Sequence, residues 1–563
     1  MSAWPLPSAL DVNTQAFPVL TGAQIDRLRP GSRLRKVEPG EILFQPDDTQ
    51  VPFFVLLSGS MEIVQPGSLE IMQPERPIAK HGPGGFTGEI TMISGQRCLV
   101  RGRVTEAGEF LEISADGLRS LVARDAELGE IFMRAFILRR IALIARGLGN
   151  VIVMGSRHCA NTLRIREFLS RNTHPYTYID LDTDKTSQEL LDRFEVKTGE
   201  VPVVICNGVT VLRNPSIQEL ADCLGFNVSI DQAQVRDLII VGAGPSGLAA
   251  AVYAASEGLD ALVIETDAPG GQAGSSSKIE NYLGFPVGIS GEELAARAIA
   301  QAQKFGAKMM VAHKVVQLEC NRRPYEVVLD NGNKLAARAI VVSTGAQYNK
   351  PPIASLKKFE GQGIYYGATY IESQLCENED VVVVGGGNSA GQAAVFLSQT
   401  ARKVHMLVRS GGLSETMSRY LIQRITDNPV IELHYKTEIV ALQGETQLER
   451  VGWLDKATGE TSTHDIHHVF IMAGASPRTE WLRGCVAFDD KGFILTGRDL
   501  DASTGLIPPF AWPLTRPPLM LETSLPGVFA VGDVRSGNVK RVASAVGEGA
   551  IAIHLVHRAL AEF

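Results

Sequence analysis

The strongest constraint in this chain is a pattern that occurs twice: a short apolar strand, a glycine-crowded turn, then a helix. In the first copy Leu238-Ile239-Ile240-Val241 runs into Gly242-Ala243-Gly244-Pro245-Ser246-Gly247 and a helical Leu248 to Ser256. In the second, Val381 to Val384 runs into Gly385-Gly386-Gly387-Asn388-Ser389-Ala390 and a helical Gly391 to Gln399. Each glycine of such a turn has its own task. The first makes the tight turn, the second lets the backbone approach a pyrophosphate, and the third lets helix and strand pack closely. The helix then presents its partially positive N-terminus to the phosphates. Two such units commit this part of the chain to an α/β architecture.

The strands after the two turns end in opposite charges. The strand Ala261 to Ile264 ends at Glu265, about twenty residues on, where an acid accepts hydrogen bonds from an adenosine ribose. The strand Lys403 to Val408 ends in Arg409 instead. An arginine there suits the 2′-phosphate of NADP. Two dinucleotide units imply two dinucleotides, and FAD with NADPH is the natural pairing. A third strand, Val528-Phe529-Ala530-Val531, ends in Gly532-Asp533 and is followed by a helical run from Ala543 through Ile553.

Composition excludes several classes. Lys plus Arg is 54 and Asp plus Glu is 62, a formal net charge of −8, so no whole-protein field draws nucleic acid or an anionic membrane. No apolar run reaches about 18 residues, so no membrane span is expected. Met1 to Leu20 carries no positive n-region, and the chain reads as cytoplasmic. None of the 7 cysteines is spaced as CxxC, which offers neither a disulfide framework nor a zinc knuckle and fits a reducing compartment. His464, His467 and His468 precede the apolar strand Val469 to Met472 and read as exposed strand residues, so no metal site is expected.

A length of 563 residues implies several domains. Residues 1–149 begin with short β-like runs, Ile42 to Phe44, Phe53 to Leu57 and Met61 to Val64, between Gly and Pro punctuation. A small antiparallel barrel or jelly roll is expected, closed by a helix over Ala126 to Leu148. Residues 150–228 read β-α-β-α-β, with strands at Val151 to Met154, Tyr176 to Leu181 and Val201 to Cys206. Ser229 to Gln234 reads as a linker.

From about Val235 onward the chain resembles low-molecular-weight thioredoxin reductase. The motifs that carry the resemblance are Gly242–Gly247, Gly270-Gly271-Gln272, Asn281, Ser343-Thr344-Gly345-Ala346, Gly385–Ala390, Gly532-Asp533 and Arg541-Val542-Ala543. It implies an FAD-binding domain at 235–347 and 478–563, with an NADPH-binding domain at 348–477 inserted between. It also implies a homodimer, an Asp533 that holds the ribitol, and rotation of the NADPH domain. The family's CxxC is replaced by Gly367-Ala368-Thr369-Tyr370, so the usual dithiol acceptor is missing and Tyr370 stands where the flavin-proximal sulfur would be. Cys376 follows in a turn. The second arginine of the family's phosphate clamp is Ser410 here, with Arg419 the candidate substitute.

The second block resembles a glutaredoxin-like thioredoxin fold. Cys159 opens a helix after the first strand, next to Arg157 and His158, a setting that favours a thiolate. It has no resolving cysteine in Cys159-Ala160-Asn161-Thr162, and Val201-Pro202 resembles the family's cis-proline. Cys206 and Cys223 read as buried small hydrophobes. The first block resembles a cyclic-nucleotide-binding domain through Pro39-Gly40-Glu41, Gly59 and Gly88-Glu89. There Glu89 would take the ribose hydroxyl and Arg97, or secondly Arg101, the cyclic phosphate.

Three functions fit these motifs. The first is an NADPH-dependent flavoprotein oxidoreductase that passes electrons to a disulfide or another small-molecule or protein acceptor. Cys159 would relay the electrons and the N-terminal domain would regulate the reaction. The second is a catalytically silent sensor of cyclic nucleotide or NADP(H). The third is a ferredoxin- or flavodoxin-type NADP reductase, which needs no CxxC.

Overall fold

The computed structural model describes residues 14–66, 75–146, 151–183, 200–206, 210–227, 230–501 and 512–562. They form two compact units, one of residues 1–156, 172–230 and 300–310, the other of 157–171, 231–299 and 311–563.

The first unit opens with strands β1 (Arg33–Val37), β2 (Ile42–Phe44), β3 (Phe53–Leu56), β4 (Ser60–Gln65), β5 (Arg76–His81), β6 (Arg101–Glu106) and β7 (Gly108–Ile113). They pair antiparallel in two sheets, β1-β7-β3 and β2-β6-β4-β5, rather than closing into one ring. The expected closing helix is α2 (Ala126–Ala145), and a helix that was not expected, α1 (Ala115–Arg124), precedes it. Asp125 caps α2 by accepting from the Leu128 amide. Phe132 and Phe136 of α2 seal the core. The Phe132 ring sits edge-on to Phe53 and to Phe86, at 4.9 Å in each case.

A third sheet in this unit has the order β11-β10-β8-β9, built from β8 (Val151–Gly155), β9 (Thr177–Asp180), β10 (Val203–Cys206) and β11 (Thr210–Arg213). β8 and β9 run parallel, and β10 is antiparallel to β8 and β11. The Val201–Pro202 bond is cis, as the resemblance implied. The helix expected between β9 and β10 falls on 184–199, outside the described residues. Between β8 and β9 the chain forms α3 (Ala160–Arg171), which belongs to the second unit. The helix α4 (Ile217–Cys223) starts in a capping box between Ser216 and Glu219.

Two of the sheets in the second unit carry the glycine turns. The first has the order β13-β12-β16-β15-β14, from β12 (Arg236–Val241), β13 (Ala261–Ile264), β14 (Val315–Glu319), β15 (Tyr325–Leu329) and β16 (Lys334–Val342). The second has the order β17-β24-β18-β19-β20, from β17 (Ile364–Tyr365), β18 (Asp380–Val384), β19 (Lys403–Val408), β20 (Ile431–Tyr435) and β24 (His468–Ile471). All its pairings are parallel. A meander of β21 (Thr437–Gln443), β22 (Arg450–Asp455) and β23 (Thr461–His464) lies between β20 and β24 in sequence. β25 (Val528–Ala530) returns from the far end of the chain to pair in parallel with β16. That return makes the first sheet discontinuous in sequence.

The cysteine reading needs correction. Cys320 and Cys485 form a disulfide across 165 residues of sequence. CxxC spacing marks only local pairs, whereas this one is assembled by the end of β14 meeting a loop more than a hundred residues away. Among the described residues, no helix is long and apolar enough to cross a membrane.

Candidate functional site

The first glycine turn connects β12 to α5 (Pro245–Ser256). Gly242 has φ +103°, and a Cβ there would lie 2.5 Å from the Ser343 carbonyl oxygen. A Cβ on Gly247 would lie 1.9 Å from the Gly242 carbonyl oxygen. Both positions therefore require glycine. Gly244 caps α5 with no side chain, and the only atom near its Cβ position is Gly271 Cα, at 3.8 Å. The space before the helix N-terminus is open, which is what a pyrophosphate needs. Pro245 takes the first helical turn, where its missing N–H costs nothing.

Glu265 ends β13 and is buried. Its carboxylate accepts from the Ala243 amide at 2.7 Å and the Asp267 amide at 3.0 Å, so it is tied to the turn itself. Burial pushes its carboxyl above the ordinary range, against the pull of those amides. Gly270 and Gly271 are left-handed, with φ +102° and +57°, and Gly271 comes close to Gly244. Gln272 beyond them is exposed, as is Asn281, which stands in the loop closed by the Ile279–Ile289 bridge. Ser343 Oγ donates to the carbonyls of Val241 and Gly242, at 2.9 and 2.8 Å. Thr344 Oγ1 donates to the Arg478 carbonyl, and Gly345, at φ +64°, faces open space.

Gly532 packs on Ser246, whose Oγ would sit 2.5 Å from a Cβ at 532. Burial raises the Asp533 carboxyl above its ordinary value. Arg541 is the N-cap of α9 (Val542–Leu560), which includes Val542 and Ala543, and Gly549 of that helix lies against the Ser246 carbonyl. The structure thus gathers Gly242–Gly247, Gly271, Ser343–Gly345 and Gly532 at the carboxyl ends of the parallel strands β12, β16 and β25. Such strand ends are where ligands bind in open α/β sheets.

The second turn connects β18 to α7 (Asn388–Leu397), after the short helix α6 (Tyr370–Leu375). Gly385 has φ +144°, and a Cβ there would meet the Met472 carbonyl oxygen at 2.6 Å. Gly387 caps α7 and has nothing within 4 Å of its Cβ position. Asn388 Oδ1 accepts from the Ser418 amide at 2.8 Å, and Ser389 hydrogen-bonds the Tyr348 phenol. Burial raises the Tyr348 phenol above its ordinary value. Arg409 is exposed at the end of β19 and Arg419 is exposed at the start of α8 (Arg419–Thr426). Ser410 Oγ donates to the Gly412 carbonyl and supplies no charge.

The Gly367–Tyr370 segment lies against the first site, with Ala368 bridged to Ser276 and Gly367 beside Ser275. Thr369 and Glu372 form a capping box that opens α6. Tyr370 is 70% exposed. Cys376 is fully buried and burial raises its thiol pKa, so it offers no accessible thiolate.

Cys159 stands at the entrance of α3, its carbonyl accepting from the Leu163 amide at 3.1 Å, and is half-buried. The helix it opens packs on the second unit's own residues. Ala160 abuts Gly361, and Leu163 joins the apolar cluster of Tyr365 and Ala368. Its last residue, Arg171, donates to the carbonyls of Ala268, Pro269 and Gly271, at 2.7, 3.3 and 3.2 Å. Sequence reasoning missed Arg171 and Tyr348, which are recruited across long separations.

In the N-terminal block Glu89 and Arg97 each engage other residues. Gly88 is left-handed at φ +104°, packed under Phe136 and Met92. Glu89 beside it is buried in an ion pair with Arg140 Nε at 3.1 Å, and it also accepts from the Thr91 amide and hydroxyl. Arg97 instead donates to the Cys223 carbonyl at 3.3 Å and lies 3.7 Å from Asp47. Its guanidinium lies at the C-terminus of α4, a favourable place for a cation. Arg101 lies 3.9 Å from Glu75.

Comparison with known proteins agrees with this geometry. Residues 236–549 match the family described as pyridine nucleotide-disulphide oxidoreductase, and residues 34–125 match the cyclic nucleotide-binding domain. A thioredoxin reductase of Mycolicibacterium smegmatis is 33% identical over 330 residues, 58% of this chain and 97% of that protein. The NADPH-dependent thioredoxin reductase 3 of Arabidopsis thaliana is 30% identical over 362 residues, 61% of this chain and 64% of its own. Among solved structures, the Lactococcus lactis thioredoxin reductase in its FR conformation superposes with a TM-score of 0.51 at 25% identity, covering 58% of this chain and all (100%) of that one. The T. acidophilum thioredoxin reductase gives 0.50 at 27% identity, covering 57% and 98%.

Proposed function

The chain belongs to the pyridine nucleotide-disulphide oxidoreductases of thioredoxin reductase type, with a cyclic nucleotide-binding domain ahead of the catalytic region, and from that premise we propose that it reduces a disulfide through Cys159 in place of the family's missing dithiol. The family uses FAD and NADPH, and the residues fit both. Gly244 and Gly387 leave open space at two helix N-termini, and Glu265 and Arg409 end the strands that follow. When bound, FAD accepts a hydride from NADPH and holds two electrons for the acceptor.

The chain's own part is positioning and thiol chemistry. Gly242–Gly247, Gly271 and Asp533 would hold the flavin nucleotide, with the helix that Arg541 caps, beginning Val542-Ala543, also contributing. Gly385–Ser389 and Arg409 hold NADPH. Cys159 Sγ attacks one sulfur of the substrate disulfide, the sulfur–sulfur bond breaks, and one thiolate leaves. Two electrons and a proton, supplied by bound NADPH, would cleave the mixed disulfide that remains, restoring the Cys159 thiolate and releasing the second thiol. The placement of α3 carries this reading: Ala160 and Leu163 set the helix that Cys159 opens beside the thiol-free Gly367–Tyr370 segment. The strand order β11-β10-β8-β9 supports a thioredoxin-like module for residues 150–228. A homodimer and the division at 348 and 477 belong to the same reading.

Anaerobic stopped flow tests the first half, since NADPH should bleach the flavin. Absence of bleaching at saturating NADPH rejects the enzyme reading and favours a silent sensor. Cys159→Ser should keep flavin bleaching and lose turnover of a chromogenic disulfide. Unchanged disulfide turnover rejects the relay alone.

A further inference from the structure

β19 and β20 are adjacent parallel strands whose register sets His405 opposite Glu432 and Leu407 opposite His434. Side chains two apart on a strand share a face, so Glu432 and His434 project on the side of the sheet that His405 occupies. The result is a triangle of ligand-type atoms. His405 Nδ1 and His434 Nε2 are 3.1 Å apart, Glu432 Oε1 is 3.5 Å from His434 Nε2, and Glu432 Oε2 is 4.0 Å from His405 Nδ1. One ligand atom from each residue can be chosen so that all lie within 4.8 Å of one another.

Those edges are close to a metal's. With bonds of about 2.05 Å, two ligands of a tetrahedral zinc are separated by about 3.3 Å. We infer that His405, Glu432 and His434 form a binding site for a divalent transition metal of the zinc type, with a water in the fourth position. Two imidazoles and a carboxylate are ligands of that hardness, and three protein ligands plus water is a familiar zinc arrangement.

The surroundings are consistent with such a site. Trp453 of the meander stands at 5.5 Å from both imidazole rings and walls off one side. His464 stacks on that indole at 3.7 Å, its own Nε2 paired to Ser462 Oγ. Lys403 holds Glu432 through Oε2, which leaves Oε1 on the side of His434. The proton in the present His405–His434 hydrogen bond must move to a distal ring nitrogen on metal binding. That is a change of tautomer with no net proton release from a neutral pair. None of these residues belongs to the dinucleotide turns or to the Cys159 region, so the site stands apart from the proposed redox path.

The test uses the full chain, stripped with chelator and dialysed against Zn²⁺, then scored by metal analysis and by competition with a chromophoric chelator. Wild type should retain one equivalent more zinc than His434→Gln or Glu432→Gln, and each variant should weaken that equivalent at least tenfold. Co²⁺ in the same site should give visible d–d bands without thiolate charge transfer, because no cysteine is a ligand. Flavin content and metal-free thermal midpoint serve as folding controls for both variants. Equal zinc content in wild type and both folded variants overturns the site. So does a Co²⁺ spectrum with thiolate bands that the substitutions leave unchanged.

Discussion

Gly247 and Gly387 show how two glycines in similar turns can carry different burdens. A methyl at 247 would be driven into the Gly242 carbonyl and Ser343 Oγ, at 1.9 and 2.6 Å. Gly247→Ala should therefore push α5 off its sheet, at an overpacking cost of about 1–3 kcal/mol, and the protein should purify with depleted flavin and a lowered melting temperature. A methyl at 387 meets nothing within 4 Å. Gly387→Ala should leave flavin content and melting unchanged and raise only the KM for NADPH, because the space it fills is the pyrophosphate's. Arg409 is exposed, and among the described residues no ion pair engages it, so its charge is free for a 2′-phosphate. Arg409→Glu should cut kcat/KM for NADPH by ten- to a hundredfold, the equivalent of about 1.5–3 kcal/mol for a lost charge-assisted hydrogen bond, with little change for NADH. Steady-state kinetics with both nucleotides checks this. These residues were legible in the sequence because strand, turn, helix and following acid or base are contiguous. The contact that Arg97 makes had no such contiguous cue: its partner, the Cys223 carbonyl, lies 126 residues away.

Among the elements, α3 connects parts that the sequence keeps far apart. Its N-terminal turn rests on Gly361 and its C-terminal Arg171 gathers three carbonyls around the Gly270–Gly271 turn. The Arg171 side chain is only 16% exposed, so these charge-assisted bonds are well shielded from water. Arg171→Met should keep the helix, since Met is a good helix former, but release the turn that abuts Gly244. Flavin should dissociate faster and equilibrium occupancy should fall several-fold, while disulfide turnover per bound flavin stays within about twofold. The rise of free-FAD fluorescence after dilution gives the measurement, and unchanged release rejects the clamp. Strand and helix positions were largely readable from apolar runs, as β2, β3 and β4 show against the expected Ile42 to Phe44, Phe53 to Leu57 and Met61 to Val64. What the runs could not disclose was partnership: that α3 packs with the second unit, that β25 returns to β16, and that Cys320 meets Cys485. Each is a contact between segments with no local signature.

At the scale of the molecule, the first unit carries two buried histidines that make it sensitive to acid. His81 is held neutral mainly by burial and then by Arg139, and its pKa is lowered to about 3. His174 is lowered to about 3 by burial and then by Arg140. An unfolded histidine titrates near 6.5, so between about pH 6.5 and 3 the unfolded chain binds protons that the folded unit refuses. Stability is therefore complete above the unfolded pKa and falls as pH drops, by about 1.4 kcal/mol per pH unit for each histidine. His468 in the second unit, lowered to about 4 by burial, pulls in the same direction. Carboxylates held low by ion pairs, such as Glu41 beside Arg35 and Asp380 beside Arg402, begin to contribute only nearer their own unfolded values. Between pH 7 and 5 the histidines thus set the slope. The unfolding midpoint of the first unit should drop over that interval, and His81→Phe should flatten the drop by about one proton's worth while retaining the ring packed near Phe17. Thermal melts of wild type and variant at pH 7, 6 and 5 give the comparison. Parallel pH dependence in the two proteins would show that His81 titrates in the folded unit as it does in the unfolded chain.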